Sequence, residues 1–123
     1  MFDQKLVHDI LTQILEASGR IERRFALIQS PDDFLANDDG VDRLDAICMM
    51  LCAIGESLKY LDKITGGKLL EDYPEVDWKG AKGIRDIISH HYFDVDAEII
   101  FSVCKERLPV LEQTIREMKA KLQ

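Results

Sequence analysis

Apolar residues recur along this chain at intervals of three, four and seven, and no segment of useful length alternates apolar with polar. That periodicity constrains the fold more than any other feature, because it lines one face of a helix and cannot line one face of a strand. Leu6, Ile10, Ile14, Ile21, Phe25 and Ile28 predict a long amphipathic helix over about residues 4–28. Ser30, Pro31, Asp32 and Asp33 then supply an N-cap, a first-turn proline and acids suited to a helix N-terminus, so a short helical turn is expected there. Asn37-Asp38-Asp39-Gly40 reads as a break. A second long helix follows over about 41–64 and stops at Gly66-Gly67.

The apolar face of the second helix is unusually wide. Leu44, Ile47, Cys48, Leu51, Ile54, Leu58 and Leu61 form one seam, and Met49, Met50 and Cys52 extend it. A helix apolar on more than one side is either enclosed at the centre of a bundle or placed at an interface, here a homodimer contact. Asp77 is placed to cap a third helix from Trp78 to about Ser89, and Asp94 or Asp96 to cap a fourth carrying Val95, Ile99, Ile100 and Val103. Leu108-Pro109 kinks or restarts the chain ahead of a C-terminal helix with Val110, Leu111, Ile115, Met118 and Leu122 on its apolar face. The expected architecture is an all-α bundle of four to five helices, one domain over residues 1–123.

Composition narrows the function classes. A hydrophobic fraction of 46% beside 32% charged residues suits a folded soluble chain. The start, MFDQKLVHDI, has no basic stretch leading into an apolar run, and AICMMLCAIG is about half of membrane-spanning length. With three cysteines, too few and too odd for a disulfide framework, the expected compartment is the cytoplasm. The net charge of −7 opposes indiscriminate binding of nucleic acid, whose affinity is largely electrostatic, but permits a local basic patch.

Such a patch is legible in the third helix. At 100° per residue, Ala81, Ile84 and Ile88 share the core-facing arc, while Lys79, Lys82 and Arg85 share the adjoining one with no acid between Trp78 and Arg85. Phosphate is the natural partner of this strip, and an arginine binds it bidentately. RDIISHHYFDVD then follows, carrying two of the chain's three histidines. A histidine titrates near neutrality, and an arginine stabilises charge on a phosphoryl oxygen, so the pair suits metal-free cleavage of RNA. On an unbroken helix, however, Arg85 and His90 diverge by about 140°. They converge on one ligand only if the helix ends near Ser89 or a second protomer contributes. Alone, R-x4-H is a weak signal, more readily read as a helix C-terminus with histidines favoured by the dipole.

The wider pattern is more specific. Arg85, His90 and Tyr92 spell R-x4-H-x-Y; Ile54-Gly55-Glu56, Tyr73-Pro74 with Trp78, Phe93-Asp94-Val95-Asp96 and Leu108-Pro109 follow in matching order and spacing. Over about residues 40–115 the chain resembles the HepT-type toxins of the HEPN superfamily. The resemblance implies a homodimeric HEPN-type bundle and a metal-independent endoribonuclease needing no cofactor. It implies catalysis by Arg85 and His90 paired across the dimer, on tRNA or mRNA. It also implies a toxin–antitoxin pair in which a minimal nucleotidyltransferase antitoxin attaches AMP units to Tyr92, whose phosphates would occupy the RNA site. Asp86 departs from the pattern, standing where many members have Asn; its carboxylate either orients Arg85 or partly neutralises the phosphate site. Lys79, Lys82 and His91 are candidate RNA-phosphate contacts, and Glu56 a candidate support for Arg85. The alternative is a HEPN homodimer with little nuclease activity that binds a nucleotide or partner. Cys48 and Cys52, one turn apart with no histidine nearby, read as buried thiols, and no metal site is expected.

Overall fold

A computed structural model of the chain describes residues 2–90 and 93–122. Its elements are helices α1 (Gln4–Phe25), α2 (Asp38–Ile64), α3 (Lys68–Glu71), α4 (Trp78–His90), α5 (Ala97–Ser102) and α6 (Leu108–Lys121). A 3₁₀ turn (Pro31–Phe34) joins α1 to α2, and a π turn (Val103–Arg107) joins α5 to α6. Among the described residues there is no strand. No helix there is long and apolar enough to cross a membrane.

Each boundary has a local cause. Asp3 caps α1 by accepting from the Leu6 amide at 3.1 Å. The helix ends at Phe25, short of the expected residue 28, yet Ile28 still turns into the core. The Asp33 carboxylate closes the 3₁₀ turn, accepting from the amides of Gln29 at 2.7 Å and Ser30 at 3.3 Å. Asn37-Asp38-Asp39-Gly40 is a helix start, where the sequence suggests a break. Asn37 caps α2 by accepting from the Gly40 amide at 2.8 Å, and Asp38 and Asp39 sit where the dipole favours acids. Gly40 has no side chain because the backbone carbonyls of Asp33 and Phe34 lie against it. After α2, Gly66 and Gly67 are both left-handed, with φ of +62° and +74°, which reverses the chain into the single turn of α3.

α2 is the hub, packing on α1 along one side and on α4 along another. Leu11, Ile14 and Ile21 of α1, Ile47, Leu58 and Leu61 of α2, and Ile115 and Met118 of α6 share one core and are all essentially inaccessible, with α6 packed on α1. Full burial of each such side chain stabilises the fold by about 1.5–3 kcal/mol before chain entropy is counted. α2 is not fully enclosed: a face that includes Met49, 65% exposed, and Tyr60 stays open along it. α4 is held more lightly, with Ile84 its buried residue.

α6 starts at Leu108 with Pro109 in its first turn, so the step restarts the chain, as expected, without leaving helix. Proline lacks the amide that an α-helix would require, and the chain absorbs the mismatch upstream, where the Leu108 amide donates to the Val103 carbonyl five residues back.

Candidate functional site

The surface shared by α2 and α4 depends on a close approach of the two helices. Gly55 permits it: a Cβ at that position would lie 3.2 Å from the Ala81 carbonyl oxygen and 3.3 Å from Ile84 Cγ2. α4 is positioned from its other end by Asp77, which caps it through the Gly80 amide at 3.0 Å, and by Trp78, whose indole N–H donates to the Tyr73 carbonyl at 2.8 Å. Tyr73 is itself buried. The tyrosine and tryptophan of the YP-x3-W segment are therefore joined by a hydrogen bond that fixes the entry into α4.

One residue after Gly55, Glu56 faces α4, and its carboxylate lies 3.5 Å from the Arg85 guanidinium. Lys59 Nζ is 3.8 Å from the same carboxylate. Arg85 thus has its acid on the neighbouring helix, while Asp86 contributes through its backbone: the Asp86 carbonyl is 2.7 Å from His90 Nδ1. A carbonyl oxygen can only accept, so Nδ1 is the donor here, and in the neutral imidazole the lone pair then lies on Nε2. His90 is exposed, leaving Nε2 open to a ligand. This is the tautomer a general base needs.

The cationic strip is less uniform than α4 alone suggests, because α2 supplies acids to it. Lys82 Nζ is held at 2.9 Å by Asp62, both partly buried, and Arg85 by Glu56, whereas Lys79 is exposed. Sequence reasoning did not single out Lys59 or Asp62. Their signal was the polar stripe Glu56, Lys59, Asp62, spaced by three in the C-terminal half of α2. Cys52, one turn before Glu56, belongs to the same surface. Partial burial pushes its thiol above the usual range, and the Arg85 charge offsets part of that rise. Cys48 and Cys104, more deeply buried, are pushed up to about 12. Among the described residues no three of His, Cys, Asp and Glu gather closely enough to hold a metal ion.

α4 continues through His90 as regular helix, one residue past the expected end. Arg85 and His90 are consequently separated by about 140° around the axis and do not face one another within the chain. His91 and Tyr92 lie outside the described residues.

Comparison with known proteins places this geometry in context. The family model described as Ribonuclease HepT-like matches residues 4–118. "Putative RNase MJ0127" of Methanocaldococcus jannaschii is 32% identical over 78 residues, covering 60% of this chain and 61% of the relative. "Putative RNase TTE0752" of Caldanaerobacter subterraneus subsp. tengcongensis is 35% identical over 68 residues, covering 55% and 57%. "Gamma-glutamylcyclotransferase and putative RNase MJ0434" of M. jannaschii is 29% identical over 119 residues, 97% of this chain and 50% of the relative. The matched part is thus less than two thirds of each of these relatives. No solved structure matches.

Proposed function

This chain belongs to the HepT-like ribonuclease family, and from that premise we propose that it is a metal-independent endoribonuclease toxin acting as a homodimer. The observation that carries the proposal is the 2.7 Å contact of His90 Nδ1 with the Asp86 carbonyl, which leaves Nε2 facing outward on an exposed ring. Nε2 takes the proton of an RNA 2′-hydroxyl, and the 2′-oxygen attacks the adjacent phosphorus. Arg85 neutralises charge on the non-bridging oxygens, and the P–O5′ bond breaks as the 5′-oxygen takes a proton from a second, protonated imidazole. The products are a 2′,3′-cyclic phosphate and a 5′-hydroxyl. Because Arg85 and His90 diverge on one helix, the second imidazole is His90 of the other copy, across a two-fold axis. Lys79, Lys82 and His91 contact flanking phosphates, and Glu56 holds Arg85.

The same proposal includes regulation. A minimal nucleotidyltransferase antitoxin silences the toxin by attaching AMP to Tyr92, two residues from His90, where added phosphates occupy and repel the RNA phosphate. The substrate is tRNA or mRNA, since exposed single-stranded loops and ends give the 2′-hydroxyl room to align.

Cleavage of total tRNA and mRNA by the purified protein in EDTA, beside His90→Ala, tests the reading. Cleavage that leaves 2′,3′-cyclic ends and disappears in the variant is the expected result, with Arg85→Lys also impaired because lysine keeps charge but not the bidentate fork. The carboxylate of Glu56 on Arg85 favours a second reading, a weak nuclease that serves as a binding module. Absence of cleavage by protein whose Tyr92 is unmodified by mass would establish that one instead.

A further inference from the structure

Beside the Arg85 pair, α2 and α4 enclose a shallow open basin of about 340 Å³ lined by Lys59, Asp62, Lys79, Lys82 and Gly83. Three ammonium groups share it with one carboxylate, in a protein whose net charge is −7. Lys59 is loosely engaged, 3.8 Å from Glu56, and Lys79 is exposed; Lys82 alone is drawn to Asp62, at 2.9 Å. Gly83 keeps the basin open. A Cβ there would meet nothing within 4 Å, so packing does not demand glycine, although glycine weakens a helix interior.

We propose that this basin is a second phosphate subsite, taking a backbone phosphodiester of single-stranded RNA next to the phosphate held by Arg85. The proposal rests on the ribonuclease reading and adds the path of the substrate. Lys79, Lys82 and Arg85 follow one another at three-residue steps on α4, each rising about 4.5 Å and turning about 60°, so a strand that winds with this arc meets the basin lysines and then Arg85. Lysines act there as mobile point charges and recognise the backbone without regard to base. Asp62 competes with the incoming phosphate for Lys82, which makes the subsite weaker than its three cations alone would be.

Binding of a fluorescein-labelled, 2′-O-methyl single-stranded RNA, which cannot be cleaved, is followed by anisotropy over a series of KCl concentrations. Each lysine that releases a counterion contributes about 0.7 to the slope of log K against log salt on a single strand. Lys59→Ala/Lys79→Ala should therefore flatten the slope by about 1.4, while Lys5→Ala/Lys105→Ala, on other surfaces, leaves it near the parent value. Gly83→Leu fills the basin at constant charge and should weaken binding. Asp62→Asn should strengthen it more than Asp9→Asn, a distant acid on α1. Thermal unfolding of each variant separates lost binding from lost fold. A parent slope retained in the basin double variant, with Gly83→Leu binding as the parent does, overturns the subsite and leaves the ribonuclease reading standing. A parent protein that does not bind the RNA at all overturns both.

Discussion

Three thiols of one chemistry behave differently here because of what surrounds them. Burial pushes Cys48 and Cys104 up to about 12, so neither forms appreciable thiolate at neutral pH. Cys52 is partly exposed and within electrostatic reach of Arg85, which favours its thiolate. A maleimide at pH 7.5 should therefore label Cys52 well before the other two, as read by peptide mass. The adduct, placed beside Arg85, should depress RNA binding. Equal labelling of all three would contradict the packing. Glu22 and Glu112, joining α1 to α6, make a second residue-scale case. The hydrogen bond to Glu112, then burial, raises Glu22 above its ordinary value of 4.5, while the same bond, with Ser18 and Arg116 also donating, lowers Glu112. A raised folded pKa means that protonated Glu22 favours the native state; its contribution is present below pH 4.5 and lost as pH rises through the folded value. Glu112 runs the other way, contributing above its ordinary value and losing that as pH falls through the lowered one. Glu22→Gln keeps a donor to Glu112 at every pH. The variant should melt above the parent at pH 7 and match it near pH 4, a difference read directly from melting curves at the two values.

Elements succeed or fail here on contacts that a single helical wheel does not contain. Gly55→Ala removes an unfavourable glycine from α2, worth about 1 kcal/mol in helix propensity. It also drives a methyl against the Ala81 carbonyl and Ile84. Overpacking costs about 1–3 kcal/mol, and a backbone oxygen has little freedom to retreat, so the variant should be destabilised by about 1 kcal/mol net. Its Tm should fall by about 4 °C. Gly19→Ala, on α1 with nothing near the added carbon, should instead gain about 0.5–1 kcal/mol. Opposite signs from one chemical change are the expected outcome; a gain at both sites would mean α2 and α4 are not in close contact. Gly55→Ala should also reduce catalysis more than stability, because Glu56 and Arg85 move apart with the helices. The same distinction explains what was legible in the sequence. Periodicity and capping residues place α1, α4 and α6 within a few residues, since those signals are local. The start of α2 was obscured because Asn37-Asp38-Asp39-Gly40 has the composition of a turn, and the close approach of the 3₁₀ turn that requires glycine at residue 40 is a tertiary contact. The uniform cationic strip on α4 was incomplete for a related reason: Glu56 and Asp62 reach it from another element. The motif residues Arg85 and His90 were readable, but the bond from His90 Nδ1 to the Asp86 carbonyl depends on helix continuing to residue 90.

At the scale of the whole molecule, the helix that carries the motif decides how many chains make a site. α4 is regular from Trp78 to His90, so no rotation of either side chain about its own bonds closes the roughly 140° between Arg85 and His90 without leaving the helix. In the proposed cleavage the base and the acid are two protonation states of an imidazole, and each chain presents one His90. Two arrangements satisfy the chemistry. In one, a single site on the two-fold axis uses both copies of His90; in the other, each chain carries an independent site assisted by another residue. Mixed dimers separate them. With the proposed homodimer, coexpression of parent and His90→Ala chains in equal amounts should yield about a quarter parent homodimers, half heterodimers and a quarter variant homodimers. If both imidazoles serve one site, heterodimers are inactive and cleavage falls to about a quarter of the parent's per dimer. If each chain acts alone, heterodimers retain half and the mixture retains about half. The shared-axis mechanism predicts the quarter, with activity following the square of the parent fraction as the ratio is varied. The quantity to measure is the initial rate of 2′,3′-cyclic end formation against that fraction. A straight line would place acid and base in one chain and remove the two-fold axis from the mechanism.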